Sequence, residues 1–216
     1  MQVNEIFQSI EGEGIRAGSL ATFIRLRGCN LNCSYCDSKY ANEPGEFNRE
    51  LSAPEILQLV EDISIGNLVT ITGGEPLIHL GVYDLIILLI NAGYEVNVET
   101  NGSMQPQLSS TPGQLFYTMD YKCPSSGEEQ AMNWVALGQL KEWDVLKFVV
   151  GSLKDLERAR FVIDNLTPAC PVFISPVFGQ IEPVQIVEYM QEQLMFPCRI
   201  QLQLHKFIWN PQKRGV

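Results

Sequence analysis

LVTITGGEPLIHLGVYDLIILLINAGYEVNVETNG, residues 68–102, decides the fold. Leu68–Thr72 is short and rich in β-branched residues, and Gly73-Gly74 interrupts it as turn formers bound a strand. Val82–Ala92 is predicted helical and stops at Gly93, a residue suited to a helix C-terminus. Tyr94–Thr100 then reads as a second strand. A strand, a helix and a strand in that order form a βα unit, which implies parallel pairing.

The same alternation extends in both directions. Further strands are predicted at Leu20–Arg27, Leu115–Asp120, Val145–Val150, Val172–Pro176 and Arg199–Leu204. A helix is predicted from Ser52-Ala53-Pro54-Glu55, where Ser52 caps, Glu55 reaches back and Pro54 occupies the first turn. Another starts near Ser152 and carries Ala159, Val162, Ile163 and Leu166 on one face. A last one spans Pro183–Leu194, with Val184, Val187, Met190 and Leu194 on one face. The fold class is therefore α/β with a mainly parallel sheet. A complete eight-fold barrel takes about 250 residues. A chain of 216 residues suits an incomplete, TIM-type βα barrel. No repeat or linker divides it, so residues 1–216 are expected to form one domain.

Composition excludes several functions. Apolar residues make up 45% and charged residues 19%, as in ordinary globular proteins. The formal net charge of −10 argues against nucleic-acid binding, which gains its affinity from cations on phosphates. The start, MQVNEIFQSIEGEG, lacks the pattern of a signal peptide. The longest apolar run, Leu85–Ile90, is too short to cross a bilayer. The expected setting is the cytoplasm, where thiols stay reduced.

Active sites on parallel sheets gather at the C-terminal ends of the strands. Four polar motifs sit there: the cysteine loop after Arg27, Gly73-Gly74-Glu75-Pro76, Glu99-Thr100-Asn101-Gly102, and Asp120-Tyr121-Lys122. They are expected to share one rim. The cysteine loop, Cys29-Asn30-Leu31-Asn32-Cys33-Ser34-Tyr35-Cys36, has C-x3-C-x2-C spacing. Soft thiolates suit an iron–sulfur cluster. With three local ligands, one iron stays open to a small molecule. Zinc, which wants a fourth Cys or His, and simple packing are the alternatives. Cys170 and Cys198 sit in apolar settings and read as small core residues. Gly73-Gly74 permits close backbone approach to a ligand or forms a tight turn.

The cysteine spacing, with an aromatic residue before Cys36, resembles the radical S-adenosylmethionine superfamily. Thr72-Gly73-Gly74-Glu75-Pro76 resembles that superfamily's methionine-binding segment. The resemblance implies a 4Fe–4S cluster on Cys29, Cys33 and Cys36. It also implies S-adenosylmethionine chelated at the open iron, a radical derived from that cofactor, and no catalytic side chain. It argues against Cys123 as a fourth ligand.

A narrower resemblance spans most of the chain. Glu5-Ile6-Phe7-Gln8-Ser9-Ile10-Glu11-Gly12-Glu13-Gly14, Phe23 to Leu31, Cys36-Asp37-Ser38, Val98 to Gly102, Gln203-Leu204-His205-Lys206, Trp209 and Arg214-Gly215-Val216 resemble the 7-carboxy-7-deazaguanine synthase family. That resemblance implies a carbon–nitrogen lyase. It would convert 6-carboxy-5,6,7,8-tetrahydropterin to 7-carboxy-7-deazaguanine by radical ring contraction with loss of ammonia, in 7-deazapurine and queuosine biosynthesis. It implies Tyr35, Gly73, Gly74, Glu75, Glu99, Lys122 and Ser125 near the cofactor. It implies Ile10, Glu11, Gly12, Arg25 and Thr72 at the substrate, with Lys147 and Gln203 also lining the pocket. It implies Mg2+ held by Ser38, an electron donor such as a flavodoxin or ferredoxin, and a homodimer. Two positions depart from the family pattern: Glu11 where Gln is common, and Ser38 where Thr is common. Ser38 keeps the hydroxyl, while Glu11 keeps an acceptor and adds charge. A glycyl-radical-activating enzyme acting on a protein partner would share the cysteine spacing, but the Phe7–Gly14 and Cys36-Asp37-Ser38 segments argue against it.

Overall fold

A computed structural model of the protein describes residues 1–43, 50–196, 198–211 and 213–215. Val216 of the Arg214-Gly215-Val216 segment lies outside them.

The strands are β1 (Val3–Ile10), β2 (Leu20–Leu26), β3 (Leu68–Gly73), β4 (Glu95–Thr100), β5 (Leu115–Lys122), β6 (Val145–Val150), β7 (Val172–Pro176) and β8 (Arg199–Ile200). They form one eight-stranded sheet in sequence order. β1 runs antiparallel to β2, and every later neighbour is parallel. The helices are α1 (Ala53–Ile63), α2 (Val82–Asn91), α3 (Trp134–Gly138), α4 (Leu153–Leu166), α5 (Pro183–Glu192) and α6 (His205–Ile208). The Ser52–Glu55 capping box forms as predicted, and Gly93 takes φ +91° after α2.

Each parallel strand divides its side chains by parity. Ile71, Val96, Val98, Met119, Tyr121, Leu146, Phe148 and Ile174 belong to the main hydrophobic core with residues of α1, α2 and α4. Their neighbours Thr72, Glu99, Asp120, Lys122 and Lys147 face a cavity instead. The apolar layer lies between sheet and helices, and the inner face of the sheet is polar.

The sheet is not closed by a ladder between β1 and β8 among the described residues. Side chains and loops hold the gap. The Gly14 N–H donates to Gln201 Oε1 at 2.6 Å, and Gln201 Nε2 donates back to the Gly14 carbonyl at 3.0 Å. The Leu204 N–H reaches the Gly12 carbonyl at 3.1 Å. The sheet is thus an incomplete βα barrel, as the chain length implies.

Several features differ from the sequence-based expectation, among them the short helices α3 and α6, which were not anticipated. β1 was not anticipated; its Asn4 and Gln8 break the apolar run. The last strand is Arg199–Ile200 rather than Arg199–Leu204; the Gln201 N–H still reaches the Ile174 carbonyl, and from there the Gln201 side chain and the Leu204 N–H bond the loop after β1. Of the apolar face predicted for α5, Val184 and Val187 are exposed, Met190 is partly buried against the core, and Leu194 is exposed beyond the helix, which ends at Glu192; Ile186, outside that face, is fully buried in the core. No helix among the described residues is long and apolar enough to cross a membrane.

Candidate active site

A cavity of about 260 Å³ opens at the C-terminal ends of the strands. The four polar motifs meet there, as their positions predict. The Asn101 Nδ2 donates to Asn30 Oδ1 at 3.0 Å and points to Cys29 Sγ at 3.6 Å. Glu75 is fully buried and accepts from the Leu77 N–H at 3.0 Å, the Thr100 hydroxyl at 2.8 Å and the Asn101 N–H at 2.7 Å. Glu75 therefore ties the loop after β3 to the loop after β4, and it is not part of the cavity lining. Burial pushes its carboxyl pKa up, against those hydrogen bonds.

Gly73 and Gly74 line the cavity, and their close approach is to backbone. A Cβ on Gly74 would lie 1.9 Å from the Gly28 carbonyl oxygen, and one on Gly73 would lie 2.0 Å from that of Leu26. Both glycines let β3 lie flush against the start of the cysteine loop. That loop is fastened on its other side by the segment after β5. The Ser34 N–H and hydroxyl donate to the carbonyls of Ser126 at 2.9 Å and Ser125 at 2.6 Å. Ser125 buttresses the loop from outside the cavity, and its own N–H is held by Asp155 Oδ1 at 2.9 Å.

Cys29, Cys33 and Cys36 all line the cavity; Cys33 is buried, Cys29 half-buried and Cys36 exposed. The Leu31 N–H and Asn101 Nδ2 both face Cys29 Sγ, as donors stabilise a thiolate. Among the described residues no three His, Cys, Asp or Glu side chains converge closely enough to hold one metal ion. Cys29, Cys33 and Cys36 share one pocket, and three thiolates on one loop are a donor set that suits an iron–sulfur cluster. Cys123 and Cys170 are buried away from the cavity, and burial pushes the Cys170 thiol up to about 12. Cys198 is also outside it.

A chain of buried charges crosses the cavity wall. Lys122 Nζ donates to Asp120 Oδ2 at 2.6 Å, and Asp120 Oδ1 lies 3.2 Å from Lys147 Nζ. Lys147 donates to Glu13 Oε2 at 2.9 Å, and the Gln203 amide reaches the same oxygen at 3.2 Å. Glu13 Oε1 is buried without a partner among the described residues. Glu99 lines the cavity beside Thr72; burial raises its pKa, while Lys147 and the Thr72 hydroxyl oppose that rise. Tyr35 crosses to the Val149 carbonyl at 3.2 Å.

On the β1 side, Ile10 and Gly12 line the cavity. A Cβ on Gly12 would meet His205 Nδ1 at 2.5 Å, so only glycine leaves room for that ring. Glu11 is buried behind the wall and accepts a hydrogen bond from the Thr70 hydroxyl. Burial and the Glu99 charge push its pKa up to about 7, against Thr70, Arg16 and Lys147. The added charge expected at this position is thus largely suppressed below neutral pH. Arg25 lines the cavity and donates from Nε to Glu5 Oε1 at 2.7 Å. Ser38 also lines it, with its hydroxyl donating to Asp37 Oδ1 at 3.0 Å. Burial would raise the Asp37 pKa, but Lys206 at 2.8 Å holds it down at about 2.

Sequence reasoning did not single out Glu13, Asp120, Asp37 or His205 as site residues, although all lie within quoted motifs. Inward parity along β5 was the available signal for Asp120.

Residues 23–108 match the Radical SAM superfamily. Together with the three-cysteine loop at the mouth of an open βα barrel, that match defines a radical S-adenosylmethionine enzyme. The chain is 44% identical to the 7-carboxy-7-deazaguanine synthase of Clostridium acetobutylicum, over all of this chain and 99% of that one. It is 42% identical to the enzyme of the same name from Methanospirillum hungatei, over 98% of this chain and 86% of that one. The crystal structure of QueE from Escherichia coli superposes with a TM-score of 0.74 at 27% identity, covering 94% of this chain and 93% of that one. The chain belongs to the 7-carboxy-7-deazaguanine synthase family.

Proposed function

We propose that this protein converts 6-carboxy-5,6,7,8-tetrahydropterin to 7-carboxy-7-deazaguanine with loss of ammonia, and that residues 1–216 act as one domain. One observation carries this reading. The cavity joins three cysteine thiols to a polar wall holding Glu13 Oε1, an acceptor without a partner among the described residues, and a cation, Arg25. A flat, hydrogen-bonding heterocycle bearing a carboxylate suits such a wall.

When bound, the cluster on Cys29, Cys33 and Cys36 and S-adenosylmethionine supply one-electron hydrogen-abstraction chemistry. Gly73, Gly74, Glu99 and Lys122 would border the cofactor, with Tyr35 against its adenine. Glu75 and Ser125 would act from behind, by fixing the loops. Ile10, Gly12 and Thr72 would border the pterin, and Glu11 would support that edge through Thr70. Glu13 would accept from pterin N–H groups, and Arg25 would pair the carboxylate by charge-assisted hydrogen bonds. Lys147 and Gln203 would keep Glu13 in place.

Ser38 would offer an oxygen to Mg2+, a hard ion that prefers oxygen ligands, with the substrate carboxylate as another. A one-electron carrier such as a flavodoxin or ferredoxin would reduce the enzyme. A homodimer is the proposed assembly, and the product would enter 7-deazapurine synthesis.

The test is anaerobic incubation of reconstituted protein with S-adenosylmethionine, reductant and the carboxylated pterin, followed by mass spectrometry. Conversion to a product lighter by ammonia is expected. Absence of that product, with radical transfer to a protein substrate instead, would favour a glycyl-radical-activating enzyme. Added Mg2+ is expected to raise turnover, and Ser38→Ala to blunt the response. An equal response in the variant would remove Ser38 from the metal site.

A further inference from the structure

Arg25 does not stand alone in its wall. β1 and β2 are in a register that sets Glu5 directly opposite Arg25, and Phe7 directly opposite Phe23. The two pairs are two residues apart and so share one face of the ribbon. A register irregularity lies between Val3 and Glu5, where β1 meets the end of β2. Such irregularities re-aim side chains.

Glu5 is itself no part of the cavity lining; it lies behind Arg25. Its Oε1 accepts from Arg25 Nε at 2.7 Å and from the Tyr40 hydroxyl at 2.9 Å. The Arg25 guanidinium also lies against two rings, Phe7 at 5.4 Å and Tyr40 at 5.6 Å. Phe7 is stacked on Phe23 at 5.2 Å, and Arg214 lies over Tyr40 at 4.4 Å. Ring and cation contacts thus run from Phe23 through Phe7, Arg25 and Tyr40 to Arg214. Both members of the ion pair are largely buried, at 13% and 18% side-chain exposure, so the geometry is not that of a loose surface pair.

A guanidinium can grip a carboxylate through Nε and one Nη, or through its two Nη groups. Glu5 occupies Nε, which, among the described residues, leaves the two Nη groups as the free fork. We infer that Glu5, with Tyr40, is a positioning residue. It fixes Arg25 so that the substrate carboxylate is taken end-on, and so sets where the adjacent carbon sits for hydrogen abstraction. This rests on the reading of Arg25 as the carboxylate's partner.

The physical consequence separates aim from attraction. Removing the Glu5 charge leaves Arg25 more positive, which favours binding an anion. It also exchanges a charge-assisted hydrogen bond for a weaker neutral one at the same oxygen, which loosens the hold on the guanidinium. A misplacement of about 1 Å at a reacting centre costs about a hundredfold in rate. Glu5→Gln is therefore expected to change the affinity for 6-carboxy-tetrahydropterin by less than about threefold. It is expected to lower kcat by about ten- to a hundredfold. The ratio of uncoupled 5′-deoxyadenosine to product rises, while cluster absorbance and S-adenosylmethionine affinity stay unchanged. Tyr40→Phe, which keeps the ring and loses only the hydroxyl, shifts the same ratio in the same direction and by less.

The experiment measures binding of carboxylated and uncarboxylated tetrahydropterin, and both products, in Glu5→Gln, Tyr40→Phe and Arg25→Ala. If Arg25→Ala, assayed without added Mg2+, still prefers the carboxylated ligand, the substrate reading of Arg25 fails and the inference fails with it. If Arg25→Ala loses that preference while Glu5→Gln turns over at the native rate and coupling, only the role of Glu5 is overturned. A fall in Glu5→Gln that is shared equally by the uncoupled reaction also overturns it, because the lesion would then lie at the cofactor.

Discussion

At the scale of single residues, the cysteines separate by place. Cys29, Cys33 and Cys36 face the cavity and Cys170 does not. Replacing any of the three by Ala is expected to abolish cluster absorbance and turnover, since a cubane needs its thiolates. Cys170→Ala is expected to leave both intact; equal loss in that variant would refute the ligand set. Glu11 makes a second test. Its native pKa of about 7 lies above the ordinary value of 4.5. The native state thus holds a proton that the unfolded chain releases, and stability falls as pH rises between those values. Glu11→Gln removes this penalty. The variant is expected to be more stable than the native protein by roughly 1–3 kcal/mol at pH 8, with little difference at pH 4. Urea midpoints at both pH values check it, and a pH-independent difference would refute the shift. The cysteine loop stood out by its spacing, which left a cluster, zinc and packing open, and the resemblance to the radical S-adenosylmethionine superfamily chose the cluster. Glu13 was not legible, because its partners Lys147 and Gln203 come from distant parts of the chain.

At the scale of elements, the junction of β2 and β3 carries the cysteine loop. The Gly74 N–H donates to the Leu26 carbonyl at 3.1 Å, and the Glu75 N–H to that of Gly28 at 2.8 Å. Gly74→Ala puts a methyl into that seam and must push the loop outward. Overpacking of this kind costs about 1–3 kcal/mol. The variant is expected to keep its secondary structure by circular dichroism but to retain less than about half of the iron after reconstitution. Full iron content would show that the seam does not position the loop. The strands and helices around this seam were legible because period and caps are local: Ser52 to Glu55 and Gly93 act within a few residues. The outward face of α5 was not. Its apolar residues include both Ile186, which meets the core, and Val184 and Val187, which do not. Periodicity alone does not choose between two apolar faces.

At the scale of the whole molecule, the unclosed side of the barrel is bridged by side chains and loop backbone. Gln201→Ala removes both hydrogen bonds to Gly14, worth about 1 kcal/mol each. Amide exchange at Gly14 and Leu204 is expected to quicken by about tenfold or more. Exchange in β3 to β6 should stay as slow as in the native protein. Unchanged exchange at Gly14 would show that the bridge contributes nothing to closure. The partial barrel was legible from chain length, whereas the antiparallel β1 that flanks its open side was not, since hairpin pairing leaves no βα signature. The parity of the strands has its own consequence. Inward and outward positions alternate on one backbone, so substitutions that retool the pocket need not disturb the layer that holds the helices. A lineage built on this sheet can change its substrate by drifting at every second letter of four strands. A deep mutational scan scored separately for abundance and for product would show two interleaved combs, out of step by one residue.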